Sequence, residues 1–148
     1  MEKELFAVRH ADAQWEGNLR EGCGRVAFGS KRFEGPYTFD SRFASGEGTT
    51  PEEMVAAAHA SCFAMATSAE LAKAGHTAGT LNCTARVTLA KGPDGAGIDQ
   101  IALELTGNGA GFTLAELRAA AETAKAKCPV SKALAAVPTV TLTVTWLD

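Results

Sequence analysis

PEEMVAAAHASCFAMATSAELAKAG, residues 51–75, is the stretch on which the fold turns. Its start carries helix signals. Thr50 is a good N-cap, Pro51 suits the first helical position, and Glu53 stands three residues after the cap. Glu52 and Glu53 also sit at the positive end of the helix dipole, and Gly75 closes the helix. The middle is apolar nearly all round, which predicts burial on most sides. Val55, Ala58, Cys62, Met65 and Ala69 share one face of it.

Downstream, LNCTARVTL (81–89) alternates strictly, with Leu81, Cys83, Ala85, Val87 and Leu89 facing one way. IALEL (101–105) alternates likewise, and KGPDGAG (91–97) between them reads as a loop, so the pair predicts a hairpin. A second helix follows in TLAELRAAAETAKAKC (113–128), opened by a capping box of Thr113 with Glu116. Leu114, Leu117, Ala121, Ala124 and Cys128 form its apolar stripe. Pro129 interrupts it, and 131–136 reads as a short further piece. TVTLTVTWL (139–147) is a terminal strand. Upstream, 7–15, 24–29 and 38–43 read as strands, and 44–50 reads as a loop. Strands, long helix, hairpin, helix, strand is the order of an α+β fold, an antiparallel sheet with helices packed on one side.

The bulk numbers agree with a single domain spanning residues 1–148. Apolar content of 46% and charged content of 21% are those of a globular chain. The net charge is −3 with basic residues scattered, so there is no stripe to neutralise phosphates and nucleic acid is not an expected partner. No window is long and apolar enough to span a bilayer. The N-terminus resembles no signal or transit peptide. These observations predict a cytoplasmic protein, where four cysteines argue for free or redox-active thiols rather than structural bridges. His10, His59 and His76 are scattered without metal-ligand spacing, so no metal or cofactor is expected. GEG (46–48) lacks the Lys-Ser/Thr of a phosphate loop.

Cys62 is either a small buried hydrophobe or a nucleophile, and the second role needs a group that stabilises a thiolate. His59, one turn earlier, and Arg42, in the preceding segment, are the candidates. Cys128 ends a helix, whose dipole disfavours a thiolate, so it suits a resolving role better than an attacking one. Cys83 reads as structural, and Cys23 carries no partner signal. Glu52 can hold an arginine such as Arg42 in a directional carboxylate pair. Ten residues separate Glu52 from Cys62, about 15 Å along one helix axis, so the two cannot touch within one continuous helix. Two copies running antiparallel in a C2 dimer would bring Glu52 of one to Cys62 of the other.

WEG (15–17), PYTFDSRF (36–43), GTTPEEMVAAAHASCFAMA (48–66) and AKAKCPVS (124–131), in this order and spacing, resemble the OsmC/Ohr family of organic hydroperoxide peroxidases, its OsmC branch in particular. The resemblance covers nearly the whole chain. It implies an intertwined homodimer and a two-cysteine cycle that reduces organic hydroperoxides in response to oxidative or osmotic stress. Cys62 matches the peroxidatic cysteine, Cys128 the resolving one, Glu52 the site glutamate and Arg42 the OsmC-type arginine, with Arg20 in reserve. It further implies a Cys62–Cys128 disulfide restored by a dithiol reductant of lipoyl type. Met54, Phe63 and Phe43 are the expected lining of an apolar substrate pocket. Two other readings stay open beside it. One is a cysteine hydrolase or acyl transferase using Cys62 with His59 as base. The other is a non-catalytic protein that binds small apolar ligands.

Overall fold

The computed structural model describes residues 2–148. The chain forms two compact units, Met1–Pro51 and Glu52–Asp148. Among the described residues no helix is long and apolar enough to cross a membrane.

The first unit carries an antiparallel three-stranded sheet, β1 (Ala11–Glu16), β2 (Cys23–Phe28) and β3 (Glu34–Tyr37), in that order. The stretch 38–43, read above as a strand, is instead a short helix, α1 (Phe39–Phe43). The local chemistry is that of a helix start. Thr38 is an N-cap whose hydroxyl accepts from the Ser41 N–H at 3.0 Å, and Ser41 Oγ accepts from the Thr38 N–H at 2.8 Å. Four residues apart, Phe39 and Phe43 then stack with ring centroids at 4.8 Å, as neighbours on a helix face do.

The second unit begins with the long helix α2, assigned Pro51–Lys73, followed by Gly75 at φ +86°. β4 (Thr80–Gly92) and β5 (Gly95–Asn108) form the expected hairpin, but the strands run almost to its tip. Residues 91–97 are therefore not a loop. Gly92 pairs with Gly95 across a two-residue turn, Pro93–Asp94, and Gly95 takes φ +104°, a conformation in which glycine is not strained. α3 (Leu114–Lys127), α4 (Pro129–Ala133) and β6 (Thr139–Trp146) complete the unit. β6 joins β5 parallel, so this sheet is antiparallel only at β4–β5. A parallel partner requires a crossover, which α3 and α4 supply.

The core lies between this sheet and the helices. β5 is the central strand and buries Ile101, Leu103 and Leu105 on one face. Leu117, Ala121 and Ala124 of α3, with Phe63 and Leu71 of α2, join them. α3 can approach closely because β5 carries Gly107, where a Cβ would stand 2.6 Å from Leu81 Cδ2 and 3.2 Å from Leu117 Cδ2.

The predicted capping box of α3 is present. The Thr113 N–H donates to Glu116 Oε2 at 2.7 Å, and the Glu116 N–H donates to Thr113 Oγ1 at 3.3 Å. Thr113→Ala is expected to lower stability by ~1 kcal/mol, read as a lower denaturation midpoint with an unchanged denaturant slope.

The face of α2 that packs on the core differs from the one expected. His59, Phe63, Thr67 and Leu71 are buried, whereas Met65 is 77% exposed. Two polar residues are accommodated there because each has a partner. Thr67 Oγ1 donates to the Phe63 carbonyl at 2.9 Å, and His59 reaches across to α4.

Candidate active site

The break between α3 and α4 follows from Cys128-Pro129. A proline disfavours helical backbone in the residue before it, and Cys128 accordingly takes φ −53° and ψ 126°. It still closes α3, donating its N–H to the Ala124 carbonyl at 2.8 Å, and its own carbonyl accepts from the Lys132 N–H at 3.0 Å in α4. Proline as the first residue of α4 restarts the helix without needing a donor of its own. The next amides, Val130 and Ser131, are then free to turn toward sulfur.

This junction brings Cys128 Sγ to 2.9 Å from Cys62 Sγ. Cys62 is half-buried, while Cys128 is 0% exposed. Both are free thiols. Burial, and then the neighbouring Cys128, push the Cys62 thiol up from its ordinary value, with the Val130 N–H opposing them weakly. Around Cys128 the balance reverses. Burial again disfavours the charge, but hydrogen bonds from Cys62, from the Ser131 backbone and hydroxyl and from the Val130 N–H together hold it below the ordinary thiol value. Cys128 ends α3, as expected, and it also heads α4.

Glu52 is buried in the first turn of α2. Because α2 is continuous, Glu52 and Cys62 of one chain are kept apart along its axis, as the spacing predicted. Arg42 lies in the last turn of α1 in the other unit, its guanidinium carbon 5.2 Å from the centroid of the Phe43 ring. Arg20 stands 4.8 Å from the centroid of Phe39. Arg42 also lines an aromatic cavity of about 240 Å³ in that unit, together with Trp15, Tyr37, Phe39 and Phe43; Arg20 does not. Phe63, expected as pocket lining, belongs instead to the core of the second unit and is fully buried.

His59 Nε2 lies 2.8 Å from Ser131 Oγ rather than on Cys62, and burial pushes the imidazole's pKa down. Cys83 is half-buried; burial first, then Cys128 and Glu104, push its thiol up to about 11, which suits packing. Cys23 is exposed. Ser131 is the site residue that periodicity and composition passed over. A signal for it was available, since a serine three residues after a cysteine, with proline between them at a helix start, occupies the capping-box spacing.

The comparisons with known proteins follow the same outline. The family described as OsmC-like protein matches residues 44–143. Peroxiredoxin OsmC of Escherichia coli (strain K12) is 40% identical over 129 residues, covering 86% of this chain and 90% of that protein. Peroxiredoxin OsmC of Shigella flexneri matches to the same extent. Among solved structures, an organic hydroperoxide resistance protein OsmC from Legionella pneumophila superposes with a TM-score of 0.74, at 23% identity, over 95% of this chain and 99% of its own. The organic hydroperoxide resistance protein OhrB of Bacillus subtilis gives a TM-score of 0.73 at 20% identity, over 92% and 98% of the two chains. The structural matches carry the fold. With that fold, the family match and the identity along most of its length, the chain belongs to the OsmC-like protein family.

Proposed function

We propose that the chain, acting as one functional domain in the cytoplasm, is a thiol peroxidase that reduces organic hydroperoxides to alcohols. The observation that carries this reading is the pair of free sulfurs 2.9 Å apart, one partly open and one sealed. A disulfide needs about 2.05 Å between sulfurs, so the pair is close to its oxidised geometry. A peroxide meets the more exposed sulfur, which makes Cys62 the attacker and Cys128 the resolver.

The Cys62 thiolate attacks the distal oxygen of ROOH. The O–O bond breaks, RO⁻ takes a proton and leaves as alcohol, and Cys62 becomes a sulfenic acid. Cys128 condenses with it, an S–S bond forms, and water leaves. A dithiol of lipoyl type restores both thiols by exchange. Burial works against the Cys62 thiolate, so a cation has to favour it. Arg42, oriented by Glu52, is that cation in a homodimer whose α2 helices run antiparallel. The exposed Met65 on α2 and the span between Glu52 and Cys62 support such pairing. The aromatic cavity beside Arg42 favours alkyl over hydrogen peroxide.

Stopped-flow reduction of an alkyl hydroperoxide and of hydrogen peroxide, with dihydrolipoamide or thioredoxin as donor, tests the reading. Alkyl hydroperoxide is expected to react about tenfold faster or more, with turnover only on dihydrolipoamide. No peroxide consumption with either donor overturns the peroxidase. Equal turnover on thioredoxin overturns only the lipoyl assignment. Ester hydrolysis that persists in Cys128→Ser would favour the hydrolase instead, although His59 is engaged with Ser131.

A further inference from the structure

α2 meets the junction of α3 and α4 at two polar points. Cys62 Sγ lies 2.9 Å from Cys128 Sγ, and His59 Nε2 lies 2.8 Å from Ser131 Oγ. The spacing is the same on both sides. His59 precedes Cys62 by three residues in α2, and Ser131 follows Cys128 by three residues across the start of α4. The two contacts are therefore adjacent rungs between the same two elements. His59 is fully buried, and among the described residues its Nδ1 has no hydrogen-bond partner, so Nε2 alone ties the ring.

The two sides differ in how firmly they are held. His59 and Cys62 belong to a helix of 23 residues. α4 has five residues and buries none of them, and Val130 reaches the core only in part. Cys128 is the hinge between α3 and α4. Its ψ of 126° puts it outside both helices, and its carbonyl accepts the Lys132 N–H at 3.0 Å, so its orientation follows the seating of α4 as well as that of α3. We propose that the His59–Ser131 hydrogen bond seats α4 against α2, and that these two are positioning residues for the sulfur–sulfur contact beside them.

The reduced chain then has a closed arrangement, with the sulfurs in contact, and an open one, with α4 lifted from α2. Only the closed one forms a disulfide. The closed fraction multiplies both the rate of condensation and the disulfide equilibrium constant. The first of these rests on the peroxidase reading and the second does not. In the condensation, Cys128 Sγ bonds to Cys62 Sγ, the S–O bond of the sulfenic acid breaks, and the oxygen leaves as water with the proton of the Cys128 thiol. Formation of the sulfenic acid takes place on α2 and is indifferent to the closed fraction.

Two measurements on the purified chain test the proposal. In a series of glutathione redox buffers, the two thiols give two electrons and two protons to glutathione disulfide. Ser131→Ala and His59→Leu are expected to lower the equilibrium constant for the Cys62–Cys128 disulfide about tenfold, as the loss of one buried hydrogen bond would, which raises the reduction potential by about 30 mV. In rapid mixing with an alkyl hydroperoxide, the same variants are expected to slow condensation by the same factor and to leave sulfenic acid formation unchanged. Ser131→Thr and His59→Gln, which keep a hydroxyl and an N–H near the same points, restore most of both. An unchanged equilibrium constant overturns the proposal. So does condensation that slows while the equilibrium stays in place, or sulfenic acid formation that slows equally. A pair that stays reduced in every buffer overturns it as well. If the unaltered chain forms no sulfenic acid, the peroxidase reading falls, and the redox buffers still decide whether His59 and Ser131 hold the sulfurs together. Should His59→Leu fail to fold, Ser131→Ala carries both readouts.

Discussion

Serine at position 62 is expected to end hydroperoxide consumption, with a fall of at least about 10³-fold in kcat/KM. A hydroxyl is essentially un-ionised near neutral pH, and oxygen is a far poorer nucleophile toward peroxide than a thiolate. Cys128 cannot substitute, because its sulfur is fully buried and an alkyl hydroperoxide cannot reach it. Cys128→Ser should behave differently. It keeps the attacking sulfur, so one equivalent of hydroperoxide per chain is consumed and the reaction then stops, leaving a sulfenic acid that a carbon nucleophile traps at Cys62. Peroxide loss measured with and without dithiol, and mass mapping of the trapped adduct, check both variants. If Cys128→Ser lost the first turnover while Cys62→Ser kept it, the two roles would be reversed.

That pairing also shows which parts of the molecule the sequence exposes and which it hides. The start of α2, the capping box of α3 and the hairpin of β4 with β5 were legible because each is written within a few residues, in caps and alternation. The stretch 38–43 failed for a related reason. Thr38 with Ser41 is a capping box with serine in the place of the usual glutamate, a variant easily read past. The loop expected at 91–97 gave way because Gly92 and Gly95 can pair across Pro93–Asp94, and composition alone does not distinguish a long loop from a tight turn.

The buried face of α2 was the least legible element. Periodicity counts apolar residues, and here the core admits His59 and Thr67 while Met65 is left exposed. Those polar residues are buried only because partners meet them, and for His59 that partner, Ser131, is 72 positions away. The same kind of distance hides the thiol pair. Two cysteines on apolar helix faces raise the suspicion of a pair, but their 2.9 Å contact depends on where Pro129 breaks a helix and on which face of α2 turns toward that break.

Arg42→Met is expected to lower kcat/KM at neutral pH about 100-fold and to move the rise of the pH profile to more alkaline values. Within Glu52–Asp148 the Cys62 thiol is pushed up, first by burial and then by Cys128, so with nothing more it would be ionised at neutral pH less than an ordinary thiol. On the proposed reading Arg42 supplies the missing stabilisation. Removing that cation raises the thiol pKa, the thiolate fraction at pH 7 falls, and activity returns as pH climbs through the new value. Arg42→Lys should recover only part of the rate, because an ammonium lacks the planar fork that a carboxylate such as Glu52 can hold in two bonds. Arg42→Met also removes a guanidinium from the Phe43 ring and from the wall of the aromatic cavity. A rise in KM for bulky hydroperoxides is therefore expected beside the pH shift, whereas the pH shift alone reports on the sulfur. Arg20→Met is the discriminating control. Arg20 rests on Phe39 and does not line that cavity, so its loss should leave the pH profile in place. A profile displaced by Arg20→Met and not by Arg42→Met would transfer the role to Arg20, and a profile indifferent to both would remove arginine from the chemistry of Cys62.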